Sequence, residues 1–243
     1  MAPPFLSIII PAYNEEYRLP RTLEQTIEYL EDQDYQADIW VVDNASTDAT
    51  PEIIAEFSRR WSHLHGIQEI RPGKGAAVRR GMLAARGKFR FMCDADLSMP
   101  IQEVARFLPP QRENVEVAIG SREAPGAVRY HEPAYRHWGG RGINWIIQLL
   151  ALPGLDDTQC GFKCFSGPVA EYLFSRQTLE GWSFDIEILY LARLFGYRIE
   201  EVPIQWYFNS ESKVNALQDA VKMIGDLLQI RKNHREGVYD RPH

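Results

Sequence analysis

Short continuous apolar runs alternate with segments of helical spacing along the first half of the chain. Residues 5–10 and 39–42 are rich in β-branched side chains, which is typical of buried strands. Residues 19–30 place apolar side chains three and four positions apart, which predicts a helix with one buried face. The same alternation then predicts strands near residues 64–70 and 89–93, a helix capped by Ser46 or Thr47, and a helix of small residues over 76–86.

This alternation predicts an α/β fold with a Rossmann-like, mostly parallel sheet and helices on both of its faces. Ligands of such sheets bind at the carboxyl ends of the strands. The polar clusters of the sequence stand at those predicted ends, in residues 13–16, 43–48, 73–75 and 94–96. We therefore expect one site at that edge of the sheet.

The second half of the chain has a weaker pattern. It predicts a strand over residues 115–119, a basic loop over 123–141, an apolar helix over 142–152, a segment over 157–163 that precedes a short helix, a helix over 182–195 and a strand over 197–202. The helix over 142–152 is apolar nearly all round, so it is either buried, which we favour, or rests on a membrane surface. Residues 216–231 predict an amphipathic helix whose aligned apolar side chains pack on the core: Leu217, Val221, Ile224 and Leu228.

Length and composition narrow the possible classes of protein. The 243 residues with an apolar fraction of 45% suffice for a substantial core, and we expect a single catalytic domain over residues 1–243. A net charge of −6 argues against a nucleic-acid partner. Three cysteines cannot all pair, which suggests a reducing compartment. We see neither a signal peptide nor a transmembrane segment, and we expect a cytoplasmic protein.

Two carboxylates follow the fourth predicted strand. Asp94 and Asp96 are two positions apart, so along an extended backbone both side chains point to the same side. Two carboxylates at such a short separation repel each other unless a cation lies between them. Mg²⁺ or Mn²⁺ would remove that cost and would also hold substrate phosphates. We expect both aspartates to bind such a metal, against the alternative of an acidic turn in solvent.

Two further residues at this edge have two interpretations each. Lys74 stands near a predicted helix start and either offers its charge to an anion or belongs to a plain turn. Asp43 ends a predicted strand and either binds a base or ribose or caps the following helix. The turn around Lys74 lacks the spacing of a P-loop, and no glycine-rich turn follows the first strand, which argues against a Rossmann dehydrogenase.

The basic and acidic residues of the second half suggest a second, phosphorylated ligand. Arg122 directly follows a predicted strand, and Arg129 belongs to the basic loop after it. Arginine suits phosphate because its planar guanidinium can bind two oxygens at once, although any single arginine can also be a solvated surface charge. Asp185 and Glu187 do not share a helix face, so at most one is catalytic, and Asp185 could instead be a helix N-terminal acid.

Taken together, these residues resemble glycosyltransferase family 2. The segments SIIIPAYNEE, VVDNASTDAT, the Gly-Lys-Gly turn and CDADLS match the nucleotide-sugar half of that family in order. The segments GSR, DTQCGFK and FDIE are more narrowly similar to the dolichyl- and polyprenyl-phosphate glycosyltransferases, especially their glucosyl branch. The resemblance implies a GT-A fold, inverting transfer, a nucleotide-sugar half over residues 1–120 and an acceptor half over 121–243.

The resemblance also implies roles for single residues. The nucleoside would be bound by Pro11, Tyr13, Glu15 and Asp43. Asp94 would lie near the ribose or the metal and Asp96 on the metal, while the phosphates would face Arg122, Arg129 and Lys213. Some mannosyl members have a glutamine as a further metal ligand where this chain has Ser98. Members often carry transmembrane helices after the catalytic domain. We see no such helix in this sequence, so we expect any membrane contact to be peripheral, at the cytoplasmic face.

The predicted reaction moves a hexose, by resemblance glucose, from a UDP-sugar to a dolichyl or polyprenyl phosphate, with Asp96, Arg122 and Asp185 as the catalytic candidates. GDP-mannose stays open as the donor, and a sugar hydroxyl as the acceptor. Two rivals from other classes are a nucleotidyltransferase, which would release pyrophosphate, and a nucleotide-sugar sensor without turnover.

Overall fold

A seven-stranded mixed sheet with helices on both faces forms the body of the protein, as seen in a computed structural model that describes residues 3–131, 147, 151–208 and 216–243. Residues 216–221 are described by their backbone alone. The strands are β1 (Leu6–Ala12), β2 (Ala37–Asp43), β3 (Leu64–Gln68), β4 (Phe89–Met92), β5 (Val117–Ser121), β6 (Val128–Tyr130), β7 (Lys163–Ser166), β8 (Ile199–Pro203) and β9 (Gln205–Tyr207). The helices are α1 (Leu19–Glu31), α2 (Thr50–Arg60), α3 (Lys74–Ala84), α4 (Gly167–Phe174), α5 (Phe184–Leu194) and α6 (Ala216–Arg235), with 3₁₀ helices at Ile101–Phe107 and Val238–Asp240.

The strand order is β3-β2-β1-β4-β7-β5-β8. β1 pairs in parallel with β2 and β4, and β2 with β3, so these four strands end at the same edge. β7 is antiparallel to both β4 and β5, and β8 runs parallel to β5. The mostly parallel α/β sheet that the sequence predicted is therefore confirmed.

Alternation along the central strand explains the two layers of helices. Ile8 and Ile10 of β1 pack into one buried cluster with Leu23 of α1, while Ile9 points to the opposite face and packs with Met82 of α3. All of these side chains are fully buried. A strand with apolar residues on both faces needs cover on both faces, which α1 and α3 supply.

Two local predictions were wrong. The segment over residues 157–163 does precede a short helix, α4, and what the sequence did not predict is that β7, a four-residue strand too short to show a period-two pattern, stands between them. The predicted basic loop contains β6, which pairs in parallel with β9. Neither Ser46 nor Thr47 caps α2, whose N-cap is Ala49 and whose Thr50 amide bonds to Asp48 Oδ1 at 3.0 Å.

The predicted core face of the last helix was also wrong. α6 buries Met223, Leu227 and Ile230, whereas Ile224 and Leu228 are 40% and 58% exposed. The helix carries two apolar stripes, and the structure packs the one that the sequence analysis did not choose. Leu217 and Val221, and most of the predicted helix over residues 142–152, lie outside the described side chains. Of the helices that the structure describes, none combines the length and the apolar character needed to cross a bilayer.

Candidate active site

The aspartates after β4 lie where two helices begin. Lys74, the first residue of α3, places its Nζ 2.6 Å from Asp94 Oδ1 and 5.1 Å from the centre of the Trp182 ring. The start of α3 is pressed against the start of α5, because a Cβ on Gly75 would lie 2.7 Å from Phe184 Cβ. Two helix N-termini, each with a partial positive charge, therefore meet next to the Lys74–Asp94 pair. This arrangement suits a bound anion.

The two aspartates have different surroundings. Asp94 is paired with Lys74, and its Oδ2 lies so close to the turn before β7 that a Cβ on Gly161 would meet it at 2.0 Å. Asp96 accepts a hydrogen bond from the Ser98 amide at 3.0 Å. Burial, and then the charge of Asp94, raise the pKa of Asp96. The fold therefore leaves the charge of Asp96 incompletely compensated.

Such a pair fits a hard divalent cation. A cation between Asp94 and Asp96 would remove the repulsion that raises the pKa of Asp96. Within the described ranges, no group of three or more His, Cys, Asp or Glu side chains is placed to hold a metal ion. Two protein carboxylates are nevertheless enough for Mg²⁺, which keeps waters and completes its shell with substrate phosphates. The two residues that the sequence singled out can therefore hold the metal together with a diphosphate.

The loops after β1 and β2 are tied into one unit. The Asn14 amide bonds to Ser46 Oγ at 3.0 Å, and the Glu15 amide to Thr50 Oγ1 at 2.8 Å. In return, the Thr47 amide bonds to Asn14 Oδ1 at 2.8 Å. Ser46 therefore joins the two loops and does not cap α2. Residues 11–16 and 43–50 together form one continuous wall at the carboxyl edge of the sheet.

The predicted nucleoside-binding residues all lie along this wall. Pro11 is in β1, opposite Val42 of β2. Tyr13 is 52% exposed, and Glu15 forms a two-point ion pair with Arg18, with both distances 2.6 Å. Asp43 is buried, and its Oδ1 accepts the Ser46 amide at 3.1 Å, so it orders its own loop rather than the helix end.

Asn44 holds the turn that precedes Lys74, and the sequence analysis did not identify it. Buried Asn44 donates to the carbonyls of Glu69 and Arg71 at 3.0 and 2.7 Å, and its Oδ1 accepts the Gly73 amide at 2.9 Å. Gly73 has φ +131°, and a Cβ there would lie 2.2 Å from the Glu180 carbonyl oxygen. Asn44 thus fixes the strained turn that delivers Lys74. The available signal was a carboxamide directly after Asp43, at a strand end.

The predicted phosphate arginines are held by carboxylates. Asp157 accepts from the Arg122 backbone amide, Nε and Nη2 at 3.0, 2.6 and 2.8 Å. Burial alone would raise the pKa of Asp157, but the charge and hydrogen bonds of Arg122 bring this pKa below its ordinary value. Arg129 Nε donates to the Arg122 carbonyl at 3.1 Å, and its Nη2 pairs with Glu123. The third predicted cation, Lys213, lies outside the described residues.

The acidic pair on α5 divides into two environments, as the spacing predicted. Asp185 is buried and lies 2.6 Å from Lys163 Nζ, measured to Oδ1. Burial raises the pKa of Asp185, and the charges of Lys163 and Lys74 partly offset that rise. Glu187 instead accepts the Thr178 and Leu179 amides and the Tyr239 hydroxyl, and so ties α5 to the C-terminal segment. The sequence analysis did not identify Lys163.

Comparisons with known proteins identify the family of the chain. The model of glycosyl transferase family 2 matches residues 7–170. A dolichyl-phosphate β-glucosyltransferase of Trichomonas vaginalis is 34% identical, over 97% of this chain and 75% of its own length. The human dolichyl-phosphate β-glucosyltransferase is 31% identical, over 96% of this chain and 77% of its own length.

Solved structures show the same fold. Glucosyl-3-phosphoglycerate synthase from Mycobacterium tuberculosis, in complex with UDP, superposes with a TM-score of 0.67 at 20% identity, over 93% of this chain and 80% of the other. A complex of that enzyme with Mn²⁺, UDP and glucosyl-3-phosphoglycerate gives a TM-score of 0.68 at 18% identity. The GT-A-like fold and the glycosyltransferase class predicted from the sequence are confirmed. The chain belongs to glycosyl transferase family 2.

Proposed function

We propose that this protein is a metal-dependent, inverting glycosyltransferase that moves glucose from UDP-glucose to a dolichyl or polyprenyl phosphate. The observation that carries the proposal is the meeting of Asp94, Asp96 and the N-termini of α3 and α5 at the carboxyl edge of the sheet. Similarity over nearly the whole chain to dolichyl-phosphate β-glucosyltransferases supports the choice of sugar and acceptor. The UDP and Mn²⁺ of the structural neighbours support the donor and metal.

In this proposal Asp94 and Asp96 hold Mg²⁺ or Mn²⁺, which supplies neutralisation of the charge that develops on the leaving diphosphate. Lys74 adds a cation next to Asp94. The wall formed by the loops after β1 and β2 receives the nucleoside, with Tyr13 exposed for stacking and Asp43 at the strand end. Each of these roles is electrostatic or positional, and together they favour departure of the nucleotide.

The acceptor side needs a cation more than a base. A phosphate monoester has a second pKa of about 6 and is largely dianionic at neutral pH, so it is already a nucleophile. Arg122 is held in a fixed orientation by Asp157 and would face the acceptor phosphate, with Arg129 behind it and Lys213 as a further predicted contact. A sugar hydroxyl would instead need a carboxylate base within hydrogen-bond reach.

Peripheral contact with a membrane is part of the proposal, because an acceptor of this class lies in a bilayer. The outward face of α6 supports it, with exposed Ile224 and Leu228 followed by exposed Arg231, Lys232 and Arg235. An apolar stripe with basic residues is typical of helices that lie in the surface of anionic membranes. The cytoplasmic location stays a prediction.

The test is a transfer assay with the purified protein. We expect glycolipid from UDP-glucose and a short polyprenyl phosphate, dependent on Mn²⁺ or Mg²⁺ and with inverted anomeric configuration by NMR. Product from GDP-mannose instead would change the sugar. Release of pyrophosphate from UTP and glucose 1-phosphate, or tight UDP binding without turnover on any lipid phosphate, would replace the proposal with one of its two rivals.

A further inference from the structure

The candidate acceptor side contains a buried cation that the reaction outlined above does not use. Lys163 is 1% exposed, its Nζ lies 2.6 Å from Asp185 Oδ1, and it donates to the Cys160 carbonyl oxygen at 2.5 Å. Asp185 is 3% exposed. A buried ion pair is costly, because desolvation of both groups offsets most of their attraction, and an apolar pair of similar volume is often as stable. Stability alone is therefore a weak explanation for this pair.

The direction of β7 brings this cation to the site. Because β7 runs antiparallel to β4 and β5, its first residue lies at the edge where those two strands end. Lys163 pairs in register with Met92, two residues before Asp94, and with Ile119, three residues before Arg122. The lysine thus lies between the predicted metal site and the predicted phosphate arginine.

Asp185 is the candidate for a catalytic base in the first turn of α5, directly after Phe184, whose Cβ lies against Gly75 at the start of α3. Lys74, the first residue of α3, has Asp94 as its carboxylate partner at 2.6 Å. Lys163 has Asp185 as its partner, also at 2.6 Å. Asp185 thus has a lysine partner of its own and is not a free carboxylate.

We propose that Lys163 is a positioning residue that determines acceptor specificity: it neutralises Asp185, so that the site admits an anionic phosphate and offers no free base to a hydroxyl acceptor. This inference rests on the proposed function, because it concerns the phosphate acceptor. An acceptor phosphate carries a charge of about −1.5 to −2 at neutral pH, and an unpaired carboxylate nearby would repel it. A hydroxyl acceptor would instead need a free carboxylate as its general base.

The two single substitutions should have opposite effects on the KM for the lipid phosphate. Lys163→Met leaves the Asp185 charge unpaired, so we expect this KM to rise about tenfold or more because of like-charge repulsion. Asp185→Asn leaves the Lys163 charge unpaired, so we expect the same KM to stay unchanged or to fall. A pair that only braced the fold would give two changes in the same direction. Lys163→Arg keeps the charge but enlarges a fully buried side chain. If its thermal unfolding midpoint shows that it is folded, the acceptor KM should stay within about twofold of the wild type.

Lys163→Met leaves a buried carboxylate without its partner and can fail to fold. The comparison then uses Asp185→Asn against the double variant Lys163→Met/Asp185→Asn, which differ in Lys163 alone and contain no carboxylate at position 185. We expect the double variant to have the higher KM for the lipid phosphate, because it lacks the remaining cation. Thermal unfolding midpoints show which variants are folded.

UDP affinity, measured by calorimetry with Mn²⁺, is the control, because the proposal places the effect on the acceptor. We expect all folded variants to bind UDP within about threefold of the wild type. The inference would be overturned if UDP affinity weakened by the same factor as the acceptor KM rises. It would also be overturned if the acceptor KM changed in the same direction in both single variants. A wild type that makes no glycolipid from a polyprenyl phosphate would instead overturn the proposed function itself.

Discussion

The two predicted halves of the chain compensate the carboxylates of the candidate site in different ways. In residues 1–120, Asp96 is half-buried beside Asp94, and its pKa is raised by burial and by that neighbour. In residues 121–243, Asp157 and Asp185 are buried, and each has a cation supplied by the fold, Arg122 for the first and Lys163 for the second. At the candidate site, the Asp94–Asp96 pair is therefore suited to receive a further cation, whereas Asp157 and Asp185 have theirs within the fold.

The largest effect is expected where the compensating cation comes from outside. Asp96→Asn removes a proposed metal ligand, and we expect kcat to fall by about 100- to 1,000-fold, as when a group that stabilises developing charge is lost. Mn²⁺-dependent UDP binding, measured by calorimetry, should weaken in parallel. The fold should be unaffected or slightly more stable, because the substitution relieves the repulsion from Asp94.

Asp185→Asn is the matched control in the other half, since it also replaces an aspartate of the candidate site by its amide. For a phosphate acceptor, Asp96→Asn should lose far more activity than Asp185→Asn. A comparable collapse in both variants would favour a hydroxyl acceptor, which needs a carboxylate base. The contrast between the halves would then be wrong as a description of function.

A smaller effect is expected where the fold supplies the cation. Asp157→Asn removes the charge that holds Arg122 Nε and Nη2, although the backbone geometry can remain. Misplacement of this guanidinium should lower kcat/KM for the acceptor by about 10- to 100-fold. The KM for UDP-glucose should change little. An equal loss on donor and acceptor would show that Arg122 serves the diphosphate rather than the acceptor.

The same variant has a pH signature. Because the folded-state pKa of Asp157 lies below its ordinary value of 3.8, its ion pair stabilises the fold above that pH and loses this contribution as pH falls through the folded pKa. At pH 7 Asp157→Asn should therefore unfold at a lower temperature than the wild type. The difference should persist down to about pH 4 and narrow below it. A gap that already closes near pH 6 would contradict the assignment.

The two halves also differ in how far the sequence predicts them. β1 and β2 are seven residues long and α1 is thirteen, so each has an apolar pattern long enough to be recognised in the sequence. The positions of these elements, and the sheet edge that bears Asp43 and Asp94, therefore follow from periodicity. β7 is four residues long and begins with a charged residue, so no local pattern shows that it enters the sheet.

The ion pairs of the second half depend on that unpredicted strand. Lys163 meets Asp185 because β7 is inserted antiparallel between β4 and β5, a tertiary arrangement that residue spacing does not encode. In α6, both apolar stripes satisfy the helical period, so periodicity alone cannot tell which of them packs on the core. The sequence therefore predicts the sheet edge at which Asp94 and Asp96 lie, and it does not predict the partners of Arg122 and Asp185.

Within the first half, a neutral residue tests how much of its order is independent of charge. Asn44→Ala removes three hydrogen bonds that hold the turn before Lys74. We expect the KM for UDP-glucose to rise about five- to tenfold, since one net hydrogen bond contributes about 1 kcal/mol and the loop can partly relax. The acceptor KM should not move. Asn14→Ala, which loosens the neighbouring loops instead, is a useful comparison.

The smallest effect on catalysis is expected at α6, far along the chain from the ion pairs. The double substitution Arg231→Glu/Arg235→Glu reverses two exposed charges beside Leu228. Each basic residue near an anionic membrane contributes about 1 kcal/mol, so co-sedimentation with vesicles containing phosphatidylserine should fall by about tenfold or more. Transfer to an acceptor embedded in those vesicles should fall a few-fold, while transfer to a detergent-dispersed acceptor should not change.

Arg59→Glu/Arg60→Glu makes the same charge change on the exposed end of α2 and is the matched control. It should leave vesicle binding almost unchanged if attraction is local to α6, because charges in solution are screened beyond about 10 Å at 0.1 M salt. Equal losses in the two double variants would mean that net charge, rather than the face of α6, governs contact with the membrane. The acceptor half would then meet its lipid through residues other than those of its last helix.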